Sequence, residues 1–318
     1  MRVGVVGAGM AGLMAGRSLQ DAGHVVVLFD KGRSPGGRLA TRRIGAATLD
    51  HGAQFFTARS EVFARLVDEW RRSGLVEEWC RGFGLDDGHP RFAVNGGMNA
   101  LAKHLAGPLD VRVESLVFAL RATTGSGGPA WAIGLDDGTQ EVVDAVVLSC
   151  PLPQSSSVMV TAGVELPAEL RATDYDRTLA LLAVIDGPSG VPSPGGIQQP
   201  DETFSFIGDN QAKGISAAPA LTFHANPAWS LEWWGRAPAE THAELIRLAR
   251  RWLADAIIVE SQLKRWRFAT PQAIWPEPCW SALDAAAPLV LAGDAFAGPK
   301  VEGAALSGLA AAAALTEA

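Results

Sequence analysis

Residues 3–12 read Val-Gly-Val-Val-Gly-Ala-Gly-Met-Ala-Gly, a short apolar run followed by the pattern Gly-x-Gly-x-x-Gly. The apolar run predicts a buried parallel strand. Residues 13–20 continue as a helix, and His24–Phe29 predicts a second strand that ends at Asp30. This order of strand, glycine turn, helix and strand predicts a dinucleotide-binding unit at the start of the chain.

Each glycine of the pattern has a physical role. Gly7 permits the tight turn after the strand, and Gly9 has no side chain to keep a pyrophosphate away from the backbone. Gly12 lets the helix pack closely on the strand. The first helical turn, with Met10 and Ala11, directs unpaired N–H groups and the positive end of the helix dipole at the phosphates.

The carboxylate of Asp30 indicates which nucleotide is bound. Asp30 stands at the spacing expected for an acidic residue that binds a ribose 2′-hydroxyl. A carboxylate at this position disfavours a 2′-phosphate, so the pattern favours FAD or NAD over NADP.

The composition indicates a globular protein of about two domains. The chain has 318 residues, of which 48% are hydrophobic and 19% charged, and this excludes a disordered or collagen-like protein. A net charge of −7 without a Lys-rich run makes nucleic acid a poor partner. The sequence has no apolar stretch of roughly 20 residues, so we expect no membrane span.

The three cysteines, Cys80, Cys150 and Cys279, stand far apart and form no C-x-x-C pair. This spacing argues against a disulfide framework, a zinc site or a dithiol redox centre, and no metal-ligand cluster is expected. A reducing compartment fits this cysteine usage, so we expect a cytoplasmic protein.

A second glycine-rich loop follows the second strand, with the sequence Lys31-Gly32-Arg33-Ser34-Pro35-Gly36-Gly37-Arg38. It resembles the loop of the FAD-dependent amine oxidase superfamily that places an Arg on the pyrophosphate. The resemblance implies that Lys31, Gly37, Arg38 and Leu39 bind the cofactor. The alternative is a solvated basic loop that includes Arg42 and Arg43.

Residues 49–59 resemble a smaller group of that superfamily, the renalase-like flavoproteins. Their sequence is Leu49-Asp50-His51-Gly52-Ala53-Gln54-Phe55-Phe56-Thr57-Ala58-Arg59. The resemblance implies that this run lies along the flavin ring. It assigns cofactor contacts to His51, Gly52, Ala53, Gln54 and Phe55. His51 is interpreted as packed beside the cofactor, with a catalytic base or a covalent anchor as alternatives; we expect FAD to be bound non-covalently.

The C-terminal part contains another strand and helix. Pro288–Ala292 is an apolar run that ends at Gly293-Asp294, and a helix begins near Val301-Glu302-Gly303-Ala304. The resemblance implies that Asp294 binds the ribityl chain and that the helix N-terminus stabilises the negative charge of the reduced flavin. It also places a backbone contact to adenine at Val117. The alternative is an ordinary strand–helix unit with an acidic first turn.

The predicted fold class is α/β, with a Rossmann-type FAD-binding domain and an inserted α+β substrate domain. The FAD-binding domain, with a parallel sheet and a β-meander, is assigned to residues 1–57, 99–153 and 284–318. The substrate domain, with a mainly antiparallel sheet, is assigned to residues 58–98 and 154–283. Its predicted elements are an amphipathic helix around 61–70, a loop at 187–200, strands at 204–207 and 221–225, and a helix at 241–256.

Two further runs, Asp209–Gly214 and His224–Ser230, are similar to renalase-like sequences. Most of the ten tryptophans lie between Trp229 and Trp280, and flat side chains beside a flavin could enclose a planar substrate. The pocket candidates are His224, Trp229, Trp275 and Trp280, and the predicted catalytic residues are Gln54, His224 and Trp229. The alternative is that most of these tryptophans pack the core.

We find no convincing set of residues for general-base catalysis. Lys213 and Lys264 lie in residues 154–283 of the predicted substrate domain, and sequence alone assigns a role to neither. Oxidation of a dihydropyridine needs only hydride transfer, because the product gains aromaticity and no proton leaves carbon. The resemblance therefore implies an FAD oxidase that passes hydride from a small planar metabolite, an isomeric dihydro-NAD(P), to flavin N5, with dioxygen reduced to hydrogen peroxide.

Three other hypotheses remain at this point. The first is a flavin amine oxidase or desaturase that acts on a small amine or a biosynthetic intermediate. The second is a non-catalytic protein that keeps FAD as a structural ligand. The third is a protein that binds NAD in place of FAD.

Overall fold

A computed structural model describes residues 1–84, 87–296 and 298–317. The chain divides into two compact units. The first comprises Met1–Gly37, Ala102–Asp174 and Pro271–Ala318, and the second comprises Arg38–Leu101 and Tyr175–Thr270.

The described residues form strands and α-helices, each numbered in chain order. The strands are β1 (Arg2–Val6), β2 (Val25–Phe29), β3 (Thr41–Ile44), β4 (Ala47–Asp50), β5 (Val76–Cys80), β6 (Arg91–Val94), β7 (Asp110–Arg112), β8 (Val117–Gly125), β9 (Gly128–Leu135), β10 (Gln140–Val143), β11 (Ala145–Leu148), β12 (Tyr175–Asp186), β13 (Gly196–Gln198), β14 (Phe204–Asp209), β15 (Ala220–Ala225), β16 (Ile257–Pro271), β17 (Trp280–Ala282) and β18 (Leu289–Leu291). The helices are α1 (Met10–Asp21), α2 (Glu61–Arg72), α3 (Met98–Ala106), α4 (Leu152–Ala162), α5 (Ala168–Ala172), α6 (Pro227–Trp233), α7 (Pro238–Ala249) and α8 (Lys300–Thr316), with a 3₁₀ turn at Arg250–Trp252.

The first unit contains the predicted parallel sheet. Its strand order is β17-β18-β11-β1-β2-β7, and every neighbouring pair is parallel except β17 with β18. The central strands are almost continuously apolar because they are buried on both faces, as Val5 in β1 and Val147 in β11 illustrate. The Rossmann-type part of the fold prediction is confirmed.

The predicted meander is also present in the first unit. Strands β8, β9 and β10 form an antiparallel sheet, and the turn between β9 and β10 holds Gly138 at a φ of +86°. Trp131 of β9 is fully buried, and its indole N–H donates to the backbone oxygen of Ala287 at 3.1 Å. The aromatic ring therefore packs the core of this unit, and its polar atom has a partner.

The second unit is built on a sheet with the order β13-β14-β15-β12-β16, in which the pairs β13–β14, β14–β15 and β15–β12 are antiparallel. One face packs on α7, where Leu245 meets a core that includes Phe204 and Phe223. The hairpin β3–β4 packs Ile44 and Leu49 with other apolar side chains of this unit, among them Leu182. The predicted α+β unit with a mainly antiparallel sheet is confirmed.

Several elements differ from the sequence-based expectation. The strands β12 and β16 and the hairpin β3–β4 were not predicted, and Arg42 and Arg43 belong to β3 rather than to a loop. Most of the 15 residues of β16 are only partly buried or exposed, so no apolar run marks this strand. The helix predicted at 241–256 begins earlier, at Pro238, and its α-helical part ends at Ala249. Short strand β13 lies inside the loop predicted at 187–200.

The two compact units are defined by how the chain packs, whereas the predicted domains were defined by function. The FAD-binding domain (1–57, 99–153 and 284–318) and the substrate domain (58–98 and 154–283) therefore stay predictions. Residues 38–57 pack within the second unit, since the backbone of Ala53 bonds to that of Arg38 and β4 joins the second unit's apolar core. Trp280 lies in β17 of the first unit. In the described parts of the chain, no helix combines the length and the apolar character that crossing a bilayer requires.

The contact between α1 and α8 depends on a glycine. A Cβ at Gly308 would lie 2.2 Å from the backbone oxygen of Ala11, closer than any side-chain carbon can approach. In a helix interior, Gly→Ala normally stabilises by about 1 kcal/mol, so the clash must reverse the usual sign at this position.

We predict that Gly308→Ala lowers the free energy of unfolding by about 1–3 kcal/mol, the usual range for overpacking. The measurement is urea unfolding followed by far-UV circular dichroism. The matched control is Gly235→Ala, because nothing lies within 4 Å of a Cβ there and the residue is exposed. An unchanged or raised stability of Gly308→Ala would contradict the proposed close contact.

Candidate functional site

The glycine loop of the first unit is shaped as an open backbone surface at the start of α1. Gly7 has a φ of +103°, and a Cβ at Gly12 would lie 1.9 Å from the oxygen of Gly7. Nothing lies within 4 Å of the position that a Cβ of Gly9 would occupy. Gly9 is the N-cap of α1 and its helix has no side-chain cap, so the first N–H groups, at Met10 and Ala11, are available to a phosphate.

Asp30 has a role that its spacing alone does not reveal. Its two carboxylate oxygens accept from the backbone N–H groups of Ala8 and Gly32, each at 2.7 Å. Gly36 also donates to the backbone oxygen of Ala8 at 2.8 Å. Asp30 therefore ties both glycine-rich loops to the end of β2. A carboxylate oxygen accepts more than one hydrogen bond, so the predicted ribose contact stays a prediction.

Three other residues of this unit were predicted to bind the cofactor. Two lie in the glycine-rich loops, and the third opens strand β8. Gly37 has a φ of +54°, and its Cβ position would be 3.5 Å from the Cα of Gly9. Lys31 is exposed beside this loop. Val117 is buried and opens β8, where it pairs with Leu135.

The C-terminal segment of the first unit presents a second helix start. Gly293, with a φ of +150°, follows β18, and its N–H donates to Ser307 Oγ at 2.9 Å. Asp294 is buried beside it. Helix α8 has Pro299 as N-cap without a side-chain cap, and its first turns carry the predicted residues Val301, Glu302, Gly303 and Ala304. This unit thus offers two helix N-termini without side-chain caps and an open backbone at Gly9, which fits a dinucleotide cofactor.

In the second unit, the backbone around Gly52 is held against that of Arg38. A Cβ at Gly52 would lie 2.0 Å from the oxygen of Arg38, which accepts from the N–H of Ala53 at 2.9 Å. The Arg38 guanidinium donates to the backbone oxygen of Ala269 at 3.1 Å, and Leu39 is buried. The requirement for glycine at position 52 is therefore a close approach of two chain segments of this unit. The predicted phosphate contact of Arg38 stays a prediction.

A buried ion pair lies at the centre of the second unit. Lys213 Nζ is 2.9 Å from Asp50 Oδ2, and each side chain is 1% exposed. The second oxygen of Asp50 accepts from Thr41 Oγ1 at 2.6 Å and from the N–H of Met98 at 2.8 Å. Lys213 also donates to the backbone oxygen of Gln54 at 3.1 Å. Both charges are thus compensated, as burial requires.

The carboxamide of Gln54 belongs to the same network. Its Nε2 donates to the backbone oxygen of Asp50 at 2.7 Å and lies 3.5 Å from His224 Nε2, while Oε1 is 3.5 Å from Lys213 Nζ. The structure therefore joins three distant runs of the sequence, 49–59, 209–214 and 224–230. Of the predicted catalytic residues, it brings together Gln54 and His224.

Local structure explains how Lys213 reaches this position. The turn after β14 is closed by Asp209, whose Oδ1 accepts from the N–H groups of Gln211 and Ala212, each at 2.9 Å. Asn210 donates to Thr222 Oγ1 at 3.0 Å, which attaches the turn to β15. The sequence alone assigns no role to Lys213. The burial of Lys213 is set by the tertiary structure, and the composition, in which most positive charges are Arg, does not indicate it.

His51 and His224 form a pair of neutral imidazoles. His224 Nε2 lies 3.2 Å from the backbone oxygen of His51, which also accepts from the indole N–H of Trp266 at 2.6 Å. Burial, followed by the charges of Lys264, His224 and Arg42, lowers the pKa of His51 to about 3. Burial, with a smaller effect of Lys213, lowers the pKa of His224 to about 4. Both rings are therefore uncharged at neutral pH.

Two aromatic residues near this network were not singled out from the sequence. The ring of Trp266 stacks on that of His51, with centroids 5.3 Å apart and an interplanar angle of 24°. Trp79 packs against Phe55 and Phe83 at 6.2 and 5.0 Å, and Lys213 Nζ lies 5.6 Å from its ring centroid. Neither tryptophan lies in a recognisable motif.

The three tryptophans predicted to line one pocket lie in different units. Trp229 stacks on Trp233, with centroids 4.9 Å apart and an interplanar angle of 10°, and packs against the apolar core of the second unit. Trp275 and Trp280 lie in the first unit, where Trp275 forms a β-bridge with Phe296. The catalytic role of Trp229 stays a prediction. Within the residues described, no group of three or more His, Cys, Asp or Glu side chains could hold a metal ion.

The ion pair leads to a stability prediction. Lys213→Met leaves the Asp50 carboxylate buried without its cation, and we expect a loss of about 3–5 kcal/mol in the free energy of unfolding. Adding Asp50→Asn, whose oxygen can still accept from Thr41 and Met98, should recover at least about 1 kcal/mol. Urea unfolding of the two single variants and the double variant measures the coupling. Strictly additive effects would contradict a direct interaction.

The two histidines lead to a pH prediction. Their pKa values are below that of an unfolded histidine, about 6.5, so the unfolded chain binds more protons between pH 6.5 and 4. Stability should therefore fall as the pH falls through this range, by about 2–3 kcal/mol from His224 by pH 4. Urea midpoints at several pH values for the wild type and His224→Gln measure this slope. The exposed His104, replaced by Gln, is the control and should leave the slope unchanged.

Two family models match the chain. A model for an NAD(P)-binding Rossmann-like domain matches residues 5–70, and a model for flavin containing amine oxidoreductase matches residues 61–316. The second match covers well over half of the sequence.

Several solved structures have a similar fold. A protein assigned as a protoporphyrinogen oxidase from Exiguobacterium sp. 255-15 superposes with a TM-score of 0.74 at 14% identity, covering 99% of this chain and 98% of that one. Wild-type putrescine oxidase bound to putrescine gives 0.70 at 16% identity, with 100% of both chains covered. Cyclohexylamine oxidase from Brevibacterium oxydans IH-35A gives 0.71 at 14% identity, with 99% and 98% covered.

The family match confirms the predicted cofactor, FAD, and with it the enzyme class, so the hypotheses of NAD in place of FAD and of a non-catalytic protein are set aside. The chain belongs to the flavin-containing amine oxidoreductase family and is an FAD-dependent oxidoreductase.

Proposed function

We propose that this protein is a renalase-like oxidase that oxidises isomeric dihydro forms of NAD(P) and reduces dioxygen to hydrogen peroxide. The observation that carries the proposal is the network of Asp50, Gln54, Lys213 and His224. Each of these residues comes from one of the three short runs that resemble renalase-like sequences. Residues so distant in the chain share one hydrogen-bonded network, and this supports a common function for the three runs.

We propose that the first unit holds the nucleotide part of FAD. The N–H groups at the start of α1 bind the pyrophosphate, Asp30 binds the ribose, and the backbone of Val117 contacts adenine. The segment around Gly293 and Asp294, with residues 301–304, receives the ribityl chain and the pyrimidine end of the flavin. The open backbone at Gly9 and the missing side-chain caps of α1 and α8 support this assignment.

For the second unit, the proposal is that His51, Gly52, Ala53, Gln54 and Phe55 contact the flavin ring. The hydrogen bonds of Gln54 to Asp50 and Lys213 hold its carboxamide in one orientation. A rigid amide beside a reacting ring positions groups without losing entropy on binding.

The reaction requires an electron acceptor and a positioned substrate. FAD, when bound, supplies the atom that accepts the hydride and the electrons that dioxygen takes. The dihydropyridine loses a hydride and becomes a pyridinium cation; with one proton from water, dioxygen takes up the two electrons and becomes hydrogen peroxide. No proton has to leave carbon in these reaction steps, so the residues of the protein need only bind the substrate, orient it and exclude water.

The protonation of His51 and His224 and the ion pair of Lys213 favour a hydride transfer that needs no base. An ammonium substrate must lose a proton before its amine can be oxidised. His51 and His224, with pKa values near 3 and 4, are poor bases at neutral pH, and Lys213 is engaged with Asp50. This observation favours the dihydropyridine over the amine.

A flavin amine oxidase is the second candidate. Family membership and the fold shared with an oxidase crystallised with putrescine favour it. The network of Asp50, Gln54, Lys213 and His224 offers no strong base. An amine substrate would therefore have to lose its proton to water or react from the fraction that is already neutral in solution.

The test is anaerobic rapid mixing of the purified holoenzyme with 2- and 6-dihydro-NAD(P) isomers and, separately, with a panel of primary and cyclic amines. We expect a dihydro isomer to bleach the flavin absorption about 100-fold faster than any amine, the usual minimum contribution of a missing base. Reoxidation in air should then yield one hydrogen peroxide per substrate. Faster reduction by an amine would replace the proposal with the second candidate.

A further inference from the structure

A pair of positively charged side chains lies beside His51 in the second unit and has no part in the network of Lys213. Arg42, on the exposed strand β3, donates from Nε to Gln262 Oε1 at 3.2 Å. Residues 262, 264 and 266 alternate with their neighbours along β16 and so share one face of that strand. Trp266 of this face contacts His51. Lys264 is therefore flanked by the residue that binds Arg42 and the residue that stacks on His51.

The charge of this pair is uncompensated. Within the described residues, neither Arg42 nor Lys264 forms an ion pair with a carboxylate. Burial and the charge of Arg42 lower the pKa of Lys264, and both cations contribute to the low pKa of His51. Arg42 is exposed and Lys264 is partly exposed, so a ligand can reach them.

His51 has one side-chain nitrogen that forms no hydrogen bond within the described residues. Its Nδ1 is buried and has no hydrogen-bond partner among the described residues, while its backbone oxygen faces two ring nitrogens. The stack on Trp266 fixes the plane of the imidazole. A buried nitrogen without a partner is unfavourable unless a ligand atom satisfies it.

We propose that Arg42, Lys264 and His51 bind a phosphate group of the substrate and thereby select a nucleotide over the corresponding nucleoside. A guanidinium and an ammonium are the side chains that bind phosphate oxygens through charge-assisted hydrogen bonds, and an imidazole N–H can complete the set. This inference rests on the proposed function, since it names the part of the dihydronicotinamide substrate that the protein recognises.

The experiment compares two substrates with the same reacting ring, the mononucleotide and the riboside of the same 2- or 6-dihydronicotinamide isomer, in anaerobic mixing with the holoenzyme. For the wild type we expect the Kd for flavin reduction to be about 10- to 100-fold lower for the mononucleotide, the range that one or two charge-assisted hydrogen bonds supply. Arg42→Gln and Lys264→Gln should each remove most of this preference by raising the Kd of the mononucleotide toward that of the riboside. A preference that persists in both variants would overturn the proposal.

The matched control is Arg43→Gln. Arg43 is the exposed neighbour of Arg42 and points to the opposite face of β3, so its removal changes the net charge equally and should keep the preference. The flavin content of each variant is measured from its absorption. Loss of FAD from Lys264→Gln would mean that the cations serve the cofactor's phosphates, which also overturns the proposal.

Failure of the proposed function gives a different result. If neither dihydronicotinamide reduces the flavin, the substrate assignment is wrong, and calorimetric titration of the oxidised holoenzyme with inorganic pyrophosphate then tests the cluster directly. Binding that is lost in Arg42→Gln and Lys264→Gln supports a phosphate site, and absence of binding to the wild type refutes it.

Discussion

The second unit depends on the ion pair between Lys213 and Asp50. Neither charge is stable in an apolar interior without the other, and the remaining oxygen of Asp50 is bonded to Thr41 and to the first residue of α3. The pair therefore attaches β3, β4, the start of α3 and the turn after β14 to one point. Because Lys213 also bonds to Gln54, the same interaction determines where that carboxamide lies. Stability and site geometry thus have a common physical origin in this unit.

The chemistry follows from what surrounds this pair. Burial keeps both neighbouring histidines neutral, and the lysine is engaged by a carboxylate, so the network presents hydrogen-bonding groups rather than an acid–base couple. This is the basis of our proposal that the substrate gives up a hydride without losing a proton from carbon. The proposed phosphate contacts of Arg42 and Lys264 concern the charged part of the same proposed substrate.

Local patterns allowed part of this to be predicted. The glycine loop, α1, the meander and the start of α8 were recognised because their glycines and apolar runs act over a few residues, and the parallel sheet follows from them. The sequence does not predict strand β16 because its side chains are mostly polar and partly exposed, although Trp266 of this strand stacks on His51. The sequence points to Trp229 because it lies in a recognisable run, yet Trp229 stacks on Trp233 and packs against the core.

The sequence by itself determined the dinucleotide-binding unit, because that unit depends on neighbouring residues and on the backbone freedom of glycine. The choice of FAD and the three runs came from the resemblance to known flavoproteins. Only the tertiary structure decided that Asp30 ties two loops together, that Lys213 pairs with Asp50, and that Trp266 stacks on His51. These contacts join residues far apart in the chain, and their strength comes from burial. Burial is a property of the packed molecule, and the spacing of residues along the chain does not specify it.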